Sequence, residues 1–526
     1  VISPPFATPP PRRLLVLSGS RSWCIAAANR LLEATEYRDT LWITDHQASR
    51  DKTTTSSGVK RHLGEERDAL VIDAWAGFDP DTFGAAVGGV RGGGAVLLLT
   101  PPLKEWPDGI DPAMQRLAPW PWKGTELYSR FLQRLVGILT TSSLVQCYNP
   151  GHPPPGLPSP PSRPSPSADP ICRSNEQRRA VEAILRVVHG HRRRPLVLTA
   201  DRGRGKSSAL GIAAARLLRE GAGTILVTAP AKRAVTVLFH HARRGLPDSE
   251  ESRGELSHQG GRIKFVAPDE LIQRPQPADL LLVDEAAAIP APLLEQLLRQ
   301  HSRIVFSTTI HGYEGTGRGF AVRFRETLDR LTPQWRALHL TQPIRWPRND
   351  PVEQFTFQAL LLNATPADNR TMVGITATAC KLAVLTQEQL IANEELLNEL
   401  FGLLVLAHYR TCPNDLRNLL DTPGVTIHLL LYNSHVAAAA VTIGEGGVNE
   451  PLAKEIWLGR RRIHGHLLAQ SLAVHAGFPE AAQLRYTRIM RLAVHPAATR
   501  RGVGTRLVRE ILQRNAGTGV DAVGTS

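Results

Sequence analysis

Residues 196–208, LVLTADRGRGKSS, join an apolar run to a glycine-punctuated loop and then to an alanine-rich stretch of helical character. An uninterrupted apolar strand is buried on both faces, which requires a largely parallel sheet with crossover helices on either side. A loop of small residues between strand and helix lets backbone N–H groups curl around phosphate oxygens, and the positive end of the helix dipole faces the same anion. The spacing is that of a phosphate loop, with Ala200 where the first glycine usually stands. Lys206 is placed to neutralise the β and γ phosphates of ATP, and Ser207 to bind Mg2+. An incidental glycine-rich turn is the alternative, and it leaves the flanking strand and helix without a reason.

Around this loop, apolar runs at 196–199, 224–228, 263–266, 280–284, 304–308 and 338–340 alternate with helical stretches. That is the rhythm of a doubly wound sheet, whose ligands sit beyond the carboxyl ends of the strands. The run at 280–283 delivers Asp284 and Glu285 at its tip, Asp284 suited to hold the magnesium shell and Glu285 to polarise an attacking water. A solvated strand end is the competing reading. Residues 306–309, FSTT, end a strand with hydroxyls able to sense a γ-phosphate, and 313–319, YEGTGRG, is expected to be a flexible polar loop. Gln177 stands where helicase-like motors place an adenine-recognising glutamine. Arg345, in QPIRW, is a candidate finger for transition-state charge, or else an ordinary surface or phosphate-contacting arginine.

Upstream, strand candidates at 14–17, 41–44, 69–73 and 95–100, with helix-like sequence at 22–34 and 81–87, imply a small, mainly parallel α/β domain. Gly92, Gly93 and Gly94 are expected to form a turn ahead of the last of these strands. From 149 to 169 the chain reads NPGHPPPGLPSPPSRPSPSAD, a proline density that prevents helix or sheet and favours a semi-rigid tether.

A second anion-binding pattern lies at 488–505, RIMRLAVHPAATRRGVGT. A strand expected at 488–495 has free backbone groups to pair with a pantetheine arm. The 499–505 loop, followed by a helix expected to start near Thr505, would receive a pyrophosphate, with Arg500 and Arg501 adding charge. This is the acetyl-CoA arrangement of GNAT acetyltransferases, and a structural turn is the alternative. Arg460, Arg461 and Arg462 form a basic loop that reads equally as an RNA-phosphate contact or as a solvated charge run. His464 and His466 form no convincing metal set.

The net charge of +14 favours an acidic polymer as partner, through release of its condensed counterions. Five scattered cysteines show no zinc or disulfide spacing and fit a reducing cytoplasm. No apolar run approaches the roughly 18 residues of a membrane helix, so no membrane association is expected. The 526 residues suit three to four domains. The initial Val and the absence of an apolar signal core suggest a fragment or a misassigned start.

With both motifs placed, the chain resembles the bacterial tRNA(Met) cytidine acetyltransferases. The likeness runs from Arg13 to the end and rests on TADRGRGKS, LVDEAAAIPAPLL, GYEGTGRGF, QPIRW, AHYRTCPNDLRNLLD, WLGRRRIHGHLLAQSLA and RIMRLAVHP. It implies a multidomain α/β protein: an N-terminal α/β domain at 1–148, a proline-rich linker at 149–170, a P-loop RecA/RecD-like ATPase domain at 171–371, and a GNAT domain at 372–526. The implied reaction is transfer of acetyl from acetyl-CoA to N4 of the wobble cytidine of elongator tRNA(Met), with hydrolysis of ATP (or GTP), in the cytoplasm and without an obligate protein partner. The implied nucleotide contacts are Gln177, Gly203, Arg204, Gly205, Lys206, Ser207, Ser208, Ala209, Leu210, Gly211, Ile212 and Arg345. Those to acetyl-CoA are Leu492, Ala493, Val494, Thr499, Arg500, Arg501, Gly502, Val503, Gly504 and Thr505. Thr499 stands where many acetyltransferases have Gln or Arg, so only backbone contact is expected there. The chain stops inside the GNAT domain, which is expected to be incomplete and short of part of its coenzyme and tRNA contacts. Two other classes stay open: a helicase or translocase with a vestigial acetyltransferase end, and a protein lysine acetyltransferase. The sequence does not name the base that activates the cytidine amine.

Overall fold

The computed structural model describes residues 9–35, 37–45, 52–62, 64–157, 172–311, 317–408 and 411–525. Most of the expected tether, at 158–169, lies outside the described residues.

Three sheets organise the chain. The first contains β1 (Arg13–Ser18), β2 (Thr40–Ile43), β3 (Lys52–Thr54), β4 (Arg67–Asp73), β5 (Val90–Thr100) and β6 (Val145–Tyr148), with helices α1 (Arg21–Glu33), α2 (Pro80–Val87) and α3 (Arg130–Thr141). Its strand order is β3-β2-β4-β5-β1-β6, and every pairing is parallel. The two-residue period of a strand sends alternate side chains to opposite faces. Leu15, Leu17, Val71, Leu97 and Leu99 therefore pack with Cys24, Ala28 and Leu31 of α1. Leu14, Val16, Leu70, Ile72, Val96 and Leu98 face a larger core shared with later parts of the chain. Gly92, Gly93 and Gly94 lie inside β5 rather than in a turn before it. The strand accommodates them through a register irregularity against β4 and a positive φ of 77° at Gly93.

The second sheet contains β7 (Leu196–Ala200), β8 (Thr224–Thr228), β9 (Glu250–Ser252), β10 (Glu255–His258), β11 (Gly261–Phe265), β12 (Leu280–Val283), β13 (Ile304–Thr309) and β14 (Arg336–Leu340). Its order is β14-β7-β13-β12-β8-β11-β10-β9, parallel from β14 to β11, with β10 antiparallel to both its neighbours. Helices α4 (Asn175–His189), α5 (Lys206–Arg219) and α6 (Thr236–Gly245) cover one face, and α7 (Pro268–Gln273), α8 (Ala291–Gln300) and α9 (Gly317–Leu331) the other. The expected polar loop at 313–319 is only partly described; its last three residues, Gly317 to Gly319, open α9 instead.

Helix α10 (Pro351–Leu360) leads to the third unit, with α11 (Gln387–Ile391), α12 (Glu394–Ala407), α13 (Pro413–Asp421), α14 (Glu450–Trp457), α15 (Leu467–Val474) and α16 (Val503–Asn515). Its strands β15 (Lys381–Leu385), β16 (Val425–Tyr432), β17 (His435–Gly446), β18 (Arg485–Val494) and β19 (Ala522–Thr525) pair in chain order, antiparallel except for the parallel β18–β19 pair. Helix α16 starts at Val503, two residues before the expected Thr505, because Gly502 takes the left-handed cap position at φ 76°.

One core joins the first sheet to the third unit. It combines Leu14 and Leu98 with Phe131 of α3, Val352 and Phe355 of α10, Leu397 and Leu400 of α12, Leu416 of α13 and Leu429 of β16. Buried ions lock the same junction. Arg417 of α13 pairs with Asp421 at 3.2 Å and with Asp111, and it donates to the Phe78 carbonyl. Asp421 in turn accepts hydrogen bonds from Ser129 Oγ at 2.7 Å and the Phe131 N–H at 2.9 Å.

Candidate functional site

The phosphate loop leaves β7 at Ala200 and enters α5 at Lys206. Gly203 and Gly205 both hold φ at +79°, a region that costs a side chain steric energy. Space requires glycine there as well: a Cβ on Gly203 would lie 2.6 Å from the Trp346 ring, and one on Gly205 2.6 Å from Gln177 Nε2. The QPIRW segment forms this cover, with the Ile344 N–H donating to the Gly203 carbonyl at 2.9 Å. Arg12 lies over the same indole at 3.6 Å and pairs with buried Asp350 at 2.8 Å.

Because β13 lies between β7 and β12, the ends of three strands converge on Lys206. Its ammonium donates to Thr309 Oγ1 at 2.8 Å and stands 3.7 Å from Glu285, while Thr309 Oγ1 donates to Glu285 at 3.2 Å. Glu285 itself sits at φ 47° where the strand turns away. Asp284 is fully buried; its Oδ1 accepts the Glu285 N–H at 3.0 Å, and its Oδ2 has no partner. Burial first, and the Glu285 charge second, push its carboxyl up to about 6, against the pull of Lys206 and a Ser207 hydrogen bond. An orphaned carboxylate oxygen beside Ser207 fits a magnesium ion, which needs hard oxygen ligands. Among the described residues no cluster of three or more His, Cys, Asp or Glu side chains forms a metal cage.

Gln177 is buried against the same loop. Its amide donates to the Gly205 carbonyl at 3.3 Å and its oxygen accepts the Arg173 N–H at 2.7 Å. Ser208, Ala209, Leu210, Gly211 and Ile212 are buried in the first turns of α5. Arg204 is held by Glu353 of α10, and Asp201 by His311 at 2.7 Å. Arg345 points to the first sheet's connections, donating to the Gly88 carbonyl at 2.9 Å and facing Glu66 at 3.4 Å. Sequence reasoning missed Glu353 and Trp346. The Asp-Pro-Val-Glu start of α10 was a visible helix signal, but its contact with the phosphate loop spans about 150 residues, beyond any local pattern.

The second centre is β18. One edge pairs with β17 along its whole length, whereas the other pairs with β19 only from Tyr486 to Ile489. Backbone from Met490 to Val494, including Leu492 and Ala493, thus borders no described strand on that side. His495 ends the strand buried, its Nδ1 accepting the Ala497 N–H and its Nε2 meeting the Ala367 carbonyl at 2.8 Å. The chain then turns through Thr499, Arg500 and Gly502 into α16. Thr499, Arg500, Arg501 and Thr505 are exposed there, with Arg501 reaching the Ile375 carbonyl at 3.2 Å. Gly504 packs against Val494: a Cβ would lie 3.1 Å from its methyl. Exposed Arg460, Arg461 and Arg462 lead into His464 and His466, which hydrogen-bond the carbonyls of Ala118 and Trp120, each at 2.7 Å.

Each unit matches a family model: "tRNA(Met) cytidine acetyltransferase TmcA, N-terminal" over 10–149, "RNA cytidine acetyltransferase NAT10/TcmA, helicase domain" over 197–363, and "GNAT acetyltransferase 2" over 399–523. The tRNA(Met) cytidine acetyltransferase TmcA of Nitrosococcus halophilus is 50% identical over 523 residues, which is 98% of this chain and 70% of that protein. This chain belongs to the TmcA family. The TmcA proteins of Vibrio cholerae and Haloferax volcanii are 38% and 36% identical, over 86% and 95% of this chain and 60% and 69% of their own length. The chain thus spans 60–70% of these TmcA relatives. The large terminase of a thermophilic bacteriophage overlaps 35% of the chain and 50% of its own, at 14% identity and a TM-score of 0.29. No described helix is long and apolar enough to cross a membrane.

Proposed function

We propose that the chain catalyses, or forms the core that catalyses, ATP-dependent acetylation of the wobble cytidine N4 of elongator tRNA(Met) from acetyl-CoA. The observation that carries this reading is the turn from the end of β18 through exposed Thr499, Arg500 and Arg501 and left-handed Gly502 into the N-terminus of α16. Backbone groups of Leu492, Ala493 and Val494 would pair with the pantetheine arm, and the N–H groups of Gly502, Val503, Gly504 and Thr505 would receive the pyrophosphate.

Residues 171–371 would supply the nucleotide unit, 372–526 the acetyl-transfer unit, and 1–148 the support for both. Lys206 would contact the β and γ phosphates, Glu285 would orient the attacking water, and Ser207 with Asp284 would hold Mg2+. That ion supplies charge neutralisation on the phosphates. Gln177 would exchange its loop contact for adenine, and Arg345 would have to leave Gly88 and Glu66 to reach a γ-phosphate.

Cytosine N4 is a weak nucleophile because its lone pair is delocalised into the ring, so rate must come from positioning and from stabilising the tetrahedral oxyanion. An anticodon base must also be splayed from its stack, at a cost of a few kcal/mol. Nucleotide hydrolysis is placed at that step.

The test is mass-spectrometric detection of N4-acetylcytidine in unmodified elongator tRNA(Met) after incubation with acetyl-CoA and ATP. Product that falls at least about tenfold in Lys206→Ala, with acetyl-CoA binding intact, is expected. Acetylated lysines with tRNA untouched would replace this reading by protein acetylation.

A further inference from the structure

A cavity of about 220 Å³ lies on the face of the third sheet opposite α16, walled by Phe401 and Leu404 of α12, Asp415 of α13, and Arg488, Met490 and Arg491 of β18. The β17–β18 register explains why two successive β18 side chains reach it. Val441 pairs with Arg491 and Thr442 with Ile489, so Met490 is the extra residue of a bulge. Before the bulge, Arg488 and Met490 face α12 and Ile489 faces α16 by ordinary alternation. After it, the phase is reset: Arg491 joins Met490 on the cavity face, and Leu492 and Val494 pack with the α16 core.

The cavity has a planar-molecule chemistry. Phe401, Leu404 and Met490 offer apolar surface. Two guanidiniums are fixed at its polar edge, Arg488 by buried Glu445 and Arg491 by Asp415 at 2.7 Å and Thr411 Oγ1 at 3.1 Å. Asp415 is itself anchored, its other oxygen accepting the Cys412 N–H at 2.9 Å. A guanidinium carries five N–H donors and no acceptor, and these two bonds leave Arg491 with donors to spare.

We infer that this cavity is the acceptor-base pocket and that Arg491, re-aimed by the Met490 bulge, selects cytosine over uracil by donating to its O2 and N3 acceptors. The inference rests on the proposed function. Cytosine shows the guanidinium two acceptors and keeps N4 as the amine to be acetylated. Uracil shows a donor at N3, which sets N–H against N–H. Asp415 acts as a positioning residue for the guanidinium.

The chain contains three methionines, Met114, Met372 and Met490, of which Met490 lines the cavity while the other two are buried and do not line it. Methyl NMR of the full chain labelled at methionine methyls therefore reads the pocket through one resonance of three. Titration with cytidine 5′-monophosphate is expected to move the Met490 signal alone, with uridine 5′-monophosphate at least about tenfold weaker. Arg491→Lys, which keeps the charge and loses the fork, is expected to erase that preference while acetyl-CoA binding persists. A Met490 signal unmoved by cytidine monophosphate, or moved equally by both nucleotides, overturns the inference. So does an unchanged preference in Arg491→Lys. Absence of N4-acetylcytidine in the tRNA assay, with this pattern intact, removes the proposed reaction and leaves the pocket standing.

Discussion

Gly203 bears two constraints at once, a left-handed backbone and a ring overhead. Gly203→Ala is expected to cost at least about 1–2 kcal/mol from φ alone, and the Cβ at 2.6 Å from Trp346 would push the QPIRW cover off the loop. Isothermal titration with ATP should show weakened binding in this variant. A second residue-scale expectation concerns acid. His428 is buried in the third sheet, bonded through Nε2 to Thr442 at 3.0 Å. Burial first and the Arg514 charge second hold its imidazole down to about 4, below its ordinary value near 6.5. Between those values the unfolded chain binds the proton and the folded chain does not, so stability falls as pH drops from about 6.5 toward 4. Urea unfolding at pH 7 and pH 5 should show this loss, and His428→Gln should shrink it. At this scale the sequence was legible where a signal is local. The spacing of Gly203, Gly205, Lys206 and Ser207 is written in one short stretch of adjacent sequence. The contacts of Arg204 with Glu353, or Trp346 with Gly203, depend on how distant segments meet.

Among elements, α10 shows how a helix start also serves as a fastening. Asp350 caps it by accepting the Glu353 N–H at 3.0 Å, and the same carboxylate holds Arg12, which is buried under Trp346. Asp350→Ala removes the cap and strands a buried guanidinium, an expected loss of about 3–5 kcal/mol measurable by urea denaturation. Asp350→Asn, which keeps the cap, should lose less. Most apolar strands of the two parallel sheets were readable from their runs, because strands covered on both faces leave no polar phase. The short hairpin strands β9 and β10 were not, since their sequences EES and ELSH carry mostly polar residues at a sheet edge. The bulge in β18 was equally silent: RIMRLAV reads as one strand, and only its pairing with β17 shows the extra residue.

At the scale of the molecule, the multidomain α/β class was legible, and so was the TmcA family from its long strings. The sharing of one core between the first sheet and the third unit was not, because hydrophobic period marks that a face is buried without naming its partner. Arg417 tests this junction. Arg417→Ala would leave Asp111 and Asp421 buried without their cation, and is expected to cost about 3–5 kcal/mol. Since both sides of the junction lose together, the N-terminal sheet and α12–α13 should exchange amide hydrogens faster in the same variant, as read by mass spectrometry.

The two-faced first sheet bears on how such proteins can be rearranged. Its position ahead of a proline-rich stretch invites treatment as a detachable bead, to be trimmed off or exchanged between relatives. Yet half of its inward side chains, Leu14, Val16, Leu70, Ile72, Val96 and Leu98, complete the interior of the acetyltransferase helices. Shortening the gene from the front would strip that interior bare, and a chimera would succeed only if both halves were inherited together.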